Sequence, residues 1–112
     1  MDKETFDKYY RNLLQKATKK RAEKEAEYFS KEDVLNSFRR TADFRDVMVP
    51  VSIMDLAAKS LVSISDMVDR EFLGDCPLPD ELPTLAQWDE KFIDAINYLL
   101  KLYASIREER EE

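Results

Sequence analysis

Apolar residues recur at helical spacing in four segments of the chain, which predicts four α-helices and no strands. We place these helices at about 3–28, 31–45, 50–72 and 85–108. From Thr18 to Glu27 the apolar stripe of the first helix fails, so this part is either a solvated helix or a looser segment, and its composition favours helix. Before Thr18, the apolar stripe of the first helix consists of Phe6, Tyr10, Leu13, Leu14 and Ala17.

Short sequence signals mark the predicted helix ends. Ser30 with Asp33 three residues later is typical of a helix N-cap, and Pro50 suits a first helical turn. Gly74 is typical of a helix stop, and the proline-rich segment 75–83 cannot form a regular helix. Thr84 begins a segment that resembles a capping box for the last helix.

The apolar positions also predict which helix faces turn inward. Those of the third helix cover well over half of its circumference, so we expect this helix to be the most buried and to lie centrally. The second helix is expected to turn inward Val34, Leu35, Phe38, Ala42 and Phe44. The core stripe of the last helix is expected to contain Leu85, Trp88, Phe92, Ala95, Ile96, Leu99, Tyr103 and Ile106.

The predicted architecture is a single helical domain of 112 residues, arranged like a four-helix bundle. Its third and fourth helices carry apolar arcs broader than a small monomer usually needs. We therefore expect a homodimer.

Composition narrows the classes of function. The chain has no histidine and one cysteine, which excludes histidine-based catalytic triads, histidine metal ligands and an internal disulfide. A net charge of −6 argues against direct binding of duplex nucleic acid. No apolar run is long enough for a membrane span, and we expect a cytoplasmic protein, in a cell or a phage-infected host. The locally basic stretch Lys16–Lys24 is either a solvated face or a phosphate-facing patch.

The last helix contains candidate ligand-binding side chains, because an acid and an amide interrupt its apolar run. Asp94 and Asn97 are almost one turn apart, so both side chains can reach the same ligand. Glu90 lies one turn before Asp94, and this face either lines a cleft or is ordinary solvated surface. Asp55 and Lys59 form either a surface ion pair or a ligand and a phosphate anchor.

Three segments follow one another in a characteristic order: Lys24–Tyr28, Asp33–Ala42 and Glu90–Leu99. The first is similar to a Lys-x-x-Asp-Tyr motif, the second to Leu-x-Asn-Phe-Arg-x-x-Ala, and the third to an acid followed by Asp-x-x-Asn-Tyr. An apolar helix carrying Lys59 comes between the second and the third. Together they resemble the MazG-like, all-α nucleoside triphosphate pyrophosphohydrolases, in particular their short, phage-borne branch.

That resemblance implies an oligomeric helical bundle that binds Mg²⁺ through acidic side chains and cleaves a nucleoside triphosphate to the monophosphate and pyrophosphate. Carried over to this chain, Glu27, Glu90 and Asp94 would hold the metal, and Glu90 and Asp94 would be catalytic. The nucleotide would be contacted by Tyr28, Arg39, Lys59 and Asn97, with Arg39 and Lys59 on the phosphates.

The chain departs from the family pattern at three places. Glu27 replaces an aspartate, and Asn36 is displaced by one position, with Ser37 where the amide belongs. Ala58 stands where the enzymatic relatives have an acid before the lysine. These departures leave two other hypotheses open. One is a non-enzymatic phage or mobile-element accessory protein that binds a host protein through its acidic surface, and the other is a purely structural helical dimer.

Overall fold

The computed structural model contains four helices: α1 (Lys3–Tyr28), α2 (Asn36–Arg45), α3 (Val49–Phe72) and α4 (Leu85–Arg110). It describes residues 1–28, 33–74 and 82–111, apart from the side chains of residues 27 and 28. These ranges contain no strand. The prediction of an all-α fold with four helices is confirmed, and residues 18–27 are helical.

Each helix packs on its neighbour in the spatial order α1, α4, α3, α2. The buried core joins α2 to α3 through Leu35, Phe38 and Ile53, and α4 covers it with Tyr98 and Leu102. The central position expected for the third helix is confirmed, because α3 lies between α4 and α2, and α4 shares it by lying between α1 and α3. The structure thus places the Asp94–Asn97 motif on one of the two central helices.

The predicted end signals of α3 and α4 are confirmed. The backbone N–H of Gln87 donates to Thr84 Oγ1 at 3.1 Å, and the N–H of Thr84 donates to Gln87 Oε1 at 2.9 Å, which completes a capping box. Pro50 lies in the first turn of α3. Gly74 follows that helix with φ of +73°, a backbone conformation that glycine adopts without steric cost.

The second helix begins at Asn36 rather than at about residue 31. Asp33 is not helical and holds a turn instead, since its carboxylate accepts the N–H of Leu35 at 3.1 Å and its carbonyl accepts the N–H of Asn36 at 3.2 Å. The predicted cap at Ser30 lies outside the described residues. At the other end, Asp46 in the left-handed region (φ 55°) closes α2.

Several predicted core residues are exposed. Phe44 is 92 % exposed in the last turn of the short α2, and Leu85 is 82 % exposed at the start of α4. Val34, Phe6 and Tyr10 are also exposed. Lys16 lies beside Asp89 and Lys24 lies near Asp94, so α1 and α4 run in the same direction. The first turns of α1 therefore extend beyond the start of α4, which leaves their apolar side chains uncovered.

The third helix carries more buried residues than any other described helix, but on one face alone. Its inner face is covered at Ser52, Ile53, Ala57 and Met67, whereas a second apolar face remains exposed. No single described helix has the length and apolar character needed to cross a membrane, and α2 with α3 pass that test only as a pair bent by 100°.

Candidate functional site

The basic stretch of α1 lies against the acidic face of α4. Lys16 Nζ is 2.7 Å from Asp89 Oδ2, and Lys20 Nζ is 3.2 Å from Asp94 Oδ1. Lys24 Nζ lies 4.0 Å from the same Asp94 oxygen. The lysines of α1 are therefore not a free solvated face, because three of them face carboxylates of the neighbouring helix.

Glu90 and Asp94 share a cation. Lys20 Nζ lies 4.0 Å from Glu90 Oε1 as well as 3.2 Å from Asp94 Oδ1. The Asp94 side chain is 28 % exposed and that of Glu90 is 63 % exposed. The two carboxylates, one turn apart on α4, thus surround a position that a positive charge occupies.

Asn97 connects α4 to the backbone of α1. Its Nδ2 donates a hydrogen bond of 3.3 Å to the carbonyl of Ala17, a buried residue in the middle of α1. This bond holds the amide side chain at the boundary between the two helices. Asn97 therefore both packs the helix pair and borders the pocket beside it.

A pocket of about 360 Å³ opens next to Asp94 and Asn97, between α1, α4 and the start of α2. Three of its side chains are cationic and one is a carboxylate, so its charge is opposite in sign to the net charge of −6 of the chain. We call it the α1–α4 pocket; its lining residues are Arg21, Lys24, Ser37, Phe38, Asp94, Asn97, Tyr98 and Lys101.

Lys101 is a partly buried cation of this pocket. Burial lowers the pKa of its ammonium, and the positive charge of Lys24 lowers it further. Its Nζ lies 5.4 Å from the centroid of the Phe38 ring, so the ammonium rests on an aromatic face. An anion entering the pocket would relieve the repulsion between Lys101 and Lys24.

The pocket continues along α4 into a second cavity of about 460 Å³. Arg21, Asn97 and Lys101 line both cavities. The second cavity adds acidic groups, among them Glu25, Asp33 and Glu108. The combined groove therefore changes from basic to mixed charge along α4.

Arg39 lies beside this groove, bound to two acids. Its Nε is 2.7 Å from Asp33 Oδ2, and its Nη2 is 2.5 Å from Glu108 Oε1. Hydrogen bonds to these carboxylates raise the pKa of Arg39, and the bond from Arg39 lowers the pKa of Asp33. Arg39 thus forms a bridge from α2 to α4 and does not line the α1–α4 pocket.

The structure places Lys59, like Arg39, outside the α1–α4 pocket. Lys59 is exposed on α3 and does not line the α1–α4 pocket. Asp55 pairs with Arg45 of α2, so the ion pair expected between Asp55 and Lys59 does not form. Because periodicity does not reveal which helices are neighbours, the sequence could not show that α3 turns this lysine away.

The predicted Mg²⁺ ligands are brought together in part. Glu90 and Asp94 are adjacent on α4, whereas the side chains of Glu27 and Tyr28 lie outside the described residues. Among the described side chains, which do not include that of Glu27, no three acidic or cysteine groups lie together as a metal site requires. Magnesium binding therefore stays a prediction.

Arg21 and Lys101 are pocket residues that the sequence did not single out as ligands. Arg21 lies within the basic stretch, and Lys101 follows Asn97 by one helical turn on α4. That spacing was the available signal, because residues four apart on a helix share a face.

Comparison of the chain with protein-family models, with curated proteins and with solved structures found no match. The resemblance to MazG-like pyrophosphohydrolases therefore rests on the motifs alone.

Proposed function

We propose that the chain binds a nucleoside triphosphate in the α1–α4 pocket as a MazG-like, Mg²⁺-dependent pyrophosphohydrolase. One observation supports this above the others: three cations gather beside the Asp94, Asn97 and Tyr98 of the motif, in a chain that is acidic as a whole. The reaction would add water to the α-phosphorus and break its bond to the bridging oxygen, which releases a monophosphate and pyrophosphate.

The cations supply the affinity for phosphate. The Arg21 guanidinium can form two parallel hydrogen bonds with a phosphate, and the ammonium groups of Lys24 and Lys101 add point charges. Because Lys101 is partly desolvated, its attraction to an anion is screened less by water. Negative charge is therefore favoured here although the remaining surface repels it.

The aromatic lining of the pocket suits the nucleoside part of the ligand. Phe38 and Tyr98 contribute ring surface, and Asn97 and Ser37 contribute hydrogen-bonding groups. A base can stack on an aromatic ring with little dependence on its identity. The chemistry of the lining thus supports a nucleotide more than it supports inorganic phosphate.

Glu90 and Asp94 would hold the Mg²⁺. The position between these carboxylates already accommodates the Lys20 ammonium, which supports their suitability for a cation. Bound there, Mg²⁺ would neutralise phosphate charge and lower the pKa of a coordinated water. The side chains of the pocket would bind and orient the triphosphate.

A non-catalytic role is the second candidate, and the carboxylates favour it. No three described acidic side chains form a group that could hold a metal, and Ala58 stands where the enzymatic relatives have an acid. The same scaffold would then be an accessory protein that binds a host protein through its acidic surface.

Nucleotide binding is tested first, with a panel of fluorescent nucleoside triphosphates and Mg²⁺, by anisotropy. Lys24→Ala and Lys101→Ala should each weaken binding about 10-fold, as expected for loss of one charge-assisted contact. Lys59→Ala is the matched control, an exposed lysine outside the pocket that should leave affinity unchanged. No binding of any triphosphate at millimolar concentration would refute the proposal.

Turnover is tested separately by measuring pyrophosphate release from the same panel. The enzymatic proposal predicts Mg²⁺-dependent release by the wild type and none by Asp94→Ala. Binding without release from any nucleotide would favour the non-catalytic candidate.

A further inference from the structure

The groove beside α4 extends from the α1–α4 pocket into the cavity of about 460 Å³, which we call the distal cavity. It shares Arg21, Asn97 and Lys101 with the α1–α4 pocket. The described residues that line the distal cavity but not the α1–α4 pocket are Glu25, Asp33, Val34, Leu35, Leu100, Ala104 and Glu108. All of them are aliphatic or acidic, so a ligand here meets apolar walls and carboxylate acceptors.

The charges along the groove determine which end of a nucleotide the distal cavity can hold. The α1–α4 pocket has three cations and one carboxylate, whereas every charged residue confined to the distal cavity is acidic. Phosphates are therefore favoured beside Lys24 and Asp94, near the proposed Mg²⁺, and are repelled at the other end. From Asp94 to Glu108 the groove follows α4 over a rise of about 21 Å. A nucleotide lying along α4 thus directs its uncharged base toward the distal cavity.

Glu25 is the carboxylate of the distal cavity with the weakest attachment to other side chains. Arg39 binds Asp33 at 2.7 Å and Glu108 at 2.5 Å. Glu25 Oε1 instead lies 3.6 Å from Arg21 Nε, an ion pair beyond hydrogen-bond distance. A phosphate bound by Arg21 would weaken this pair further, which leaves Glu25 as an acceptor that a base can use.

Glu25 also lies near the rings on which a base can stack. Burial lowers the pKa of the Lys101 ammonium, and the negative charge of Glu25 acts against this lowering. The same ammonium is 5.4 Å from the centroid of the Phe38 ring. Glu25, Lys101 and Phe38 therefore meet where the two cavities join. A base stacked beside Phe38 and Tyr98 can present its hydrogen-bonding edge to Glu25.

We propose that the distal cavity selects guanine, through hydrogen bonds from its N1–H and 2-amino groups to the Glu25 carboxylate. This inference rests on the proposed function, which places the phosphates. A carboxylate only accepts hydrogen bonds, and its two oxygens suit two neighbouring donors. Guanine has two such donors side by side on its Watson–Crick edge. Adenine and cytosine have one donor beside an acceptor there, and uracil has one donor between two carbonyls, so each would place an acceptor against the carboxylate.

Displacement of a fluorescent nucleoside triphosphate by unlabelled competitors tests this selectivity. Inosine triphosphate (ITP) lacks only the 2-amino group of GTP, so the wild type should bind GTP about 10-fold more tightly than ITP, as expected for one hydrogen bond to a charged acceptor. ATP, CTP and UTP should also bind more weakly than GTP. Equal affinity for GTP and any of the other four would overturn the inference and leave the proposed function intact. No displacement by any triphosphate at millimolar concentration would refute both.

Glu25→Gln tests which residue reads the base. The amide turns a donor toward the guanine donors, so the preference for GTP over ITP should disappear while ITP still binds. The ratio of the two affinities is insensitive to a general change in phosphate binding caused by the released Arg21. Glu23→Gln, exposed on α1 and outside both cavities, is the matched control and should keep the preference. An unchanged preference in Glu25→Gln would overturn the inference.

Discussion

The contact between α1 and α4 and the outer face of α3 use opposite chemistry. In the first, lysines face carboxylates across two parallel helices, and a hydrogen bond from Asn97 to the Ala17 carbonyl fixes the pair. In the second, apolar side chains are exposed along the helix, at Met54, Leu61, Val62 and Val68. Polar groups at the first surface therefore suit a charged ligand, whereas the second surface does not.

The largest expected effect separates the two faces of α3. Ile53 is 0 % exposed in the core, and its neighbour Met54 is 42 % exposed on the outer face of α3. Ile53→Ala should lower the free energy of unfolding by about 2–5 kcal/mol. Met54→Ala should lower it by less than about 1 kcal/mol. Urea unfolding followed by circular dichroism measures both, and equal losses would contradict the assignment of the faces.

Ala58→Glu sharpens the comparison because it restores the acid of the enzymatic relatives on α3, outside the α1–α4 pocket. We expect pyrophosphate release to show no gain. Increased release would place the active centre at α3 and not at the α1–α4 pocket.

The pH dependence of nucleotide binding tests the role of Lys101 in the α1–α4 pocket. Lys101 has a pKa below the ordinary 10.5 of lysine because it is buried, so it loses its proton at a lower pH than exposed lysines do. Affinity for a nucleotide without Mg²⁺ should therefore fall as pH rises through that lowered pKa. Lys101→Met should remove this fall, and Lys59→Ala should retain it. Identical pH profiles for the wild type and Lys101→Met would exclude Lys101 from the site.

In the same window the folded protein should gain stability as pH rises. The unfolded chain binds more protons between the lowered pKa and 10.5, so the energetic cost of burying the Lys101 ammonium disappears there. Urea unfolding across this range should show an increase for the wild type that Lys101→Met lacks.

The smallest effect concerns the ion pair at the edge of the α1–α4 contact. Lys16 and Asp89 are separated by 2.7 Å, and their side chains are 49 % and 40 % exposed. Asp89→Asn should therefore reduce the free energy of unfolding by less than about 1 kcal/mol and leave nucleotide affinity unchanged. Thermal unfolding measures the stability and anisotropy measures the affinity. A 10-fold change in affinity would show that Lys16 and Asp89 belong to the nucleotide-binding site.

The helices could be predicted because their signals are local. Periodicity defined the four segments, and Thr84 with Gln87 and Gly74 marked ends that the structure confirms. The start of α2 was missed because Asp33 holds a turn whose hydrogen bonds compete with helix continuation.

The arrangement of the helices could not be predicted from periodicity. Residues 18–27 of α1 lack an apolar stripe, so nothing local showed that their lysines face α4. The motif identifies Asp94 and Asn97 as candidates, whereas the packing of α1 on α4 is what brings Arg21 and Lys101 into the same pocket. The apolar positions of α3 show that its apolar arc is broad. They do not show which part of that arc the other helices bury.

An NMR titration of the ¹⁵N-labelled chain with Mg²⁺ and a non-hydrolysable nucleoside triphosphate tests whether α1 and α4 form one anion-binding pocket. Amide shifts should change at Arg21–Lys24 and Asp94–Lys101 and stay constant along Val51–Ser65. Changes concentrated along α3, or none at millimolar ligand, would contradict it.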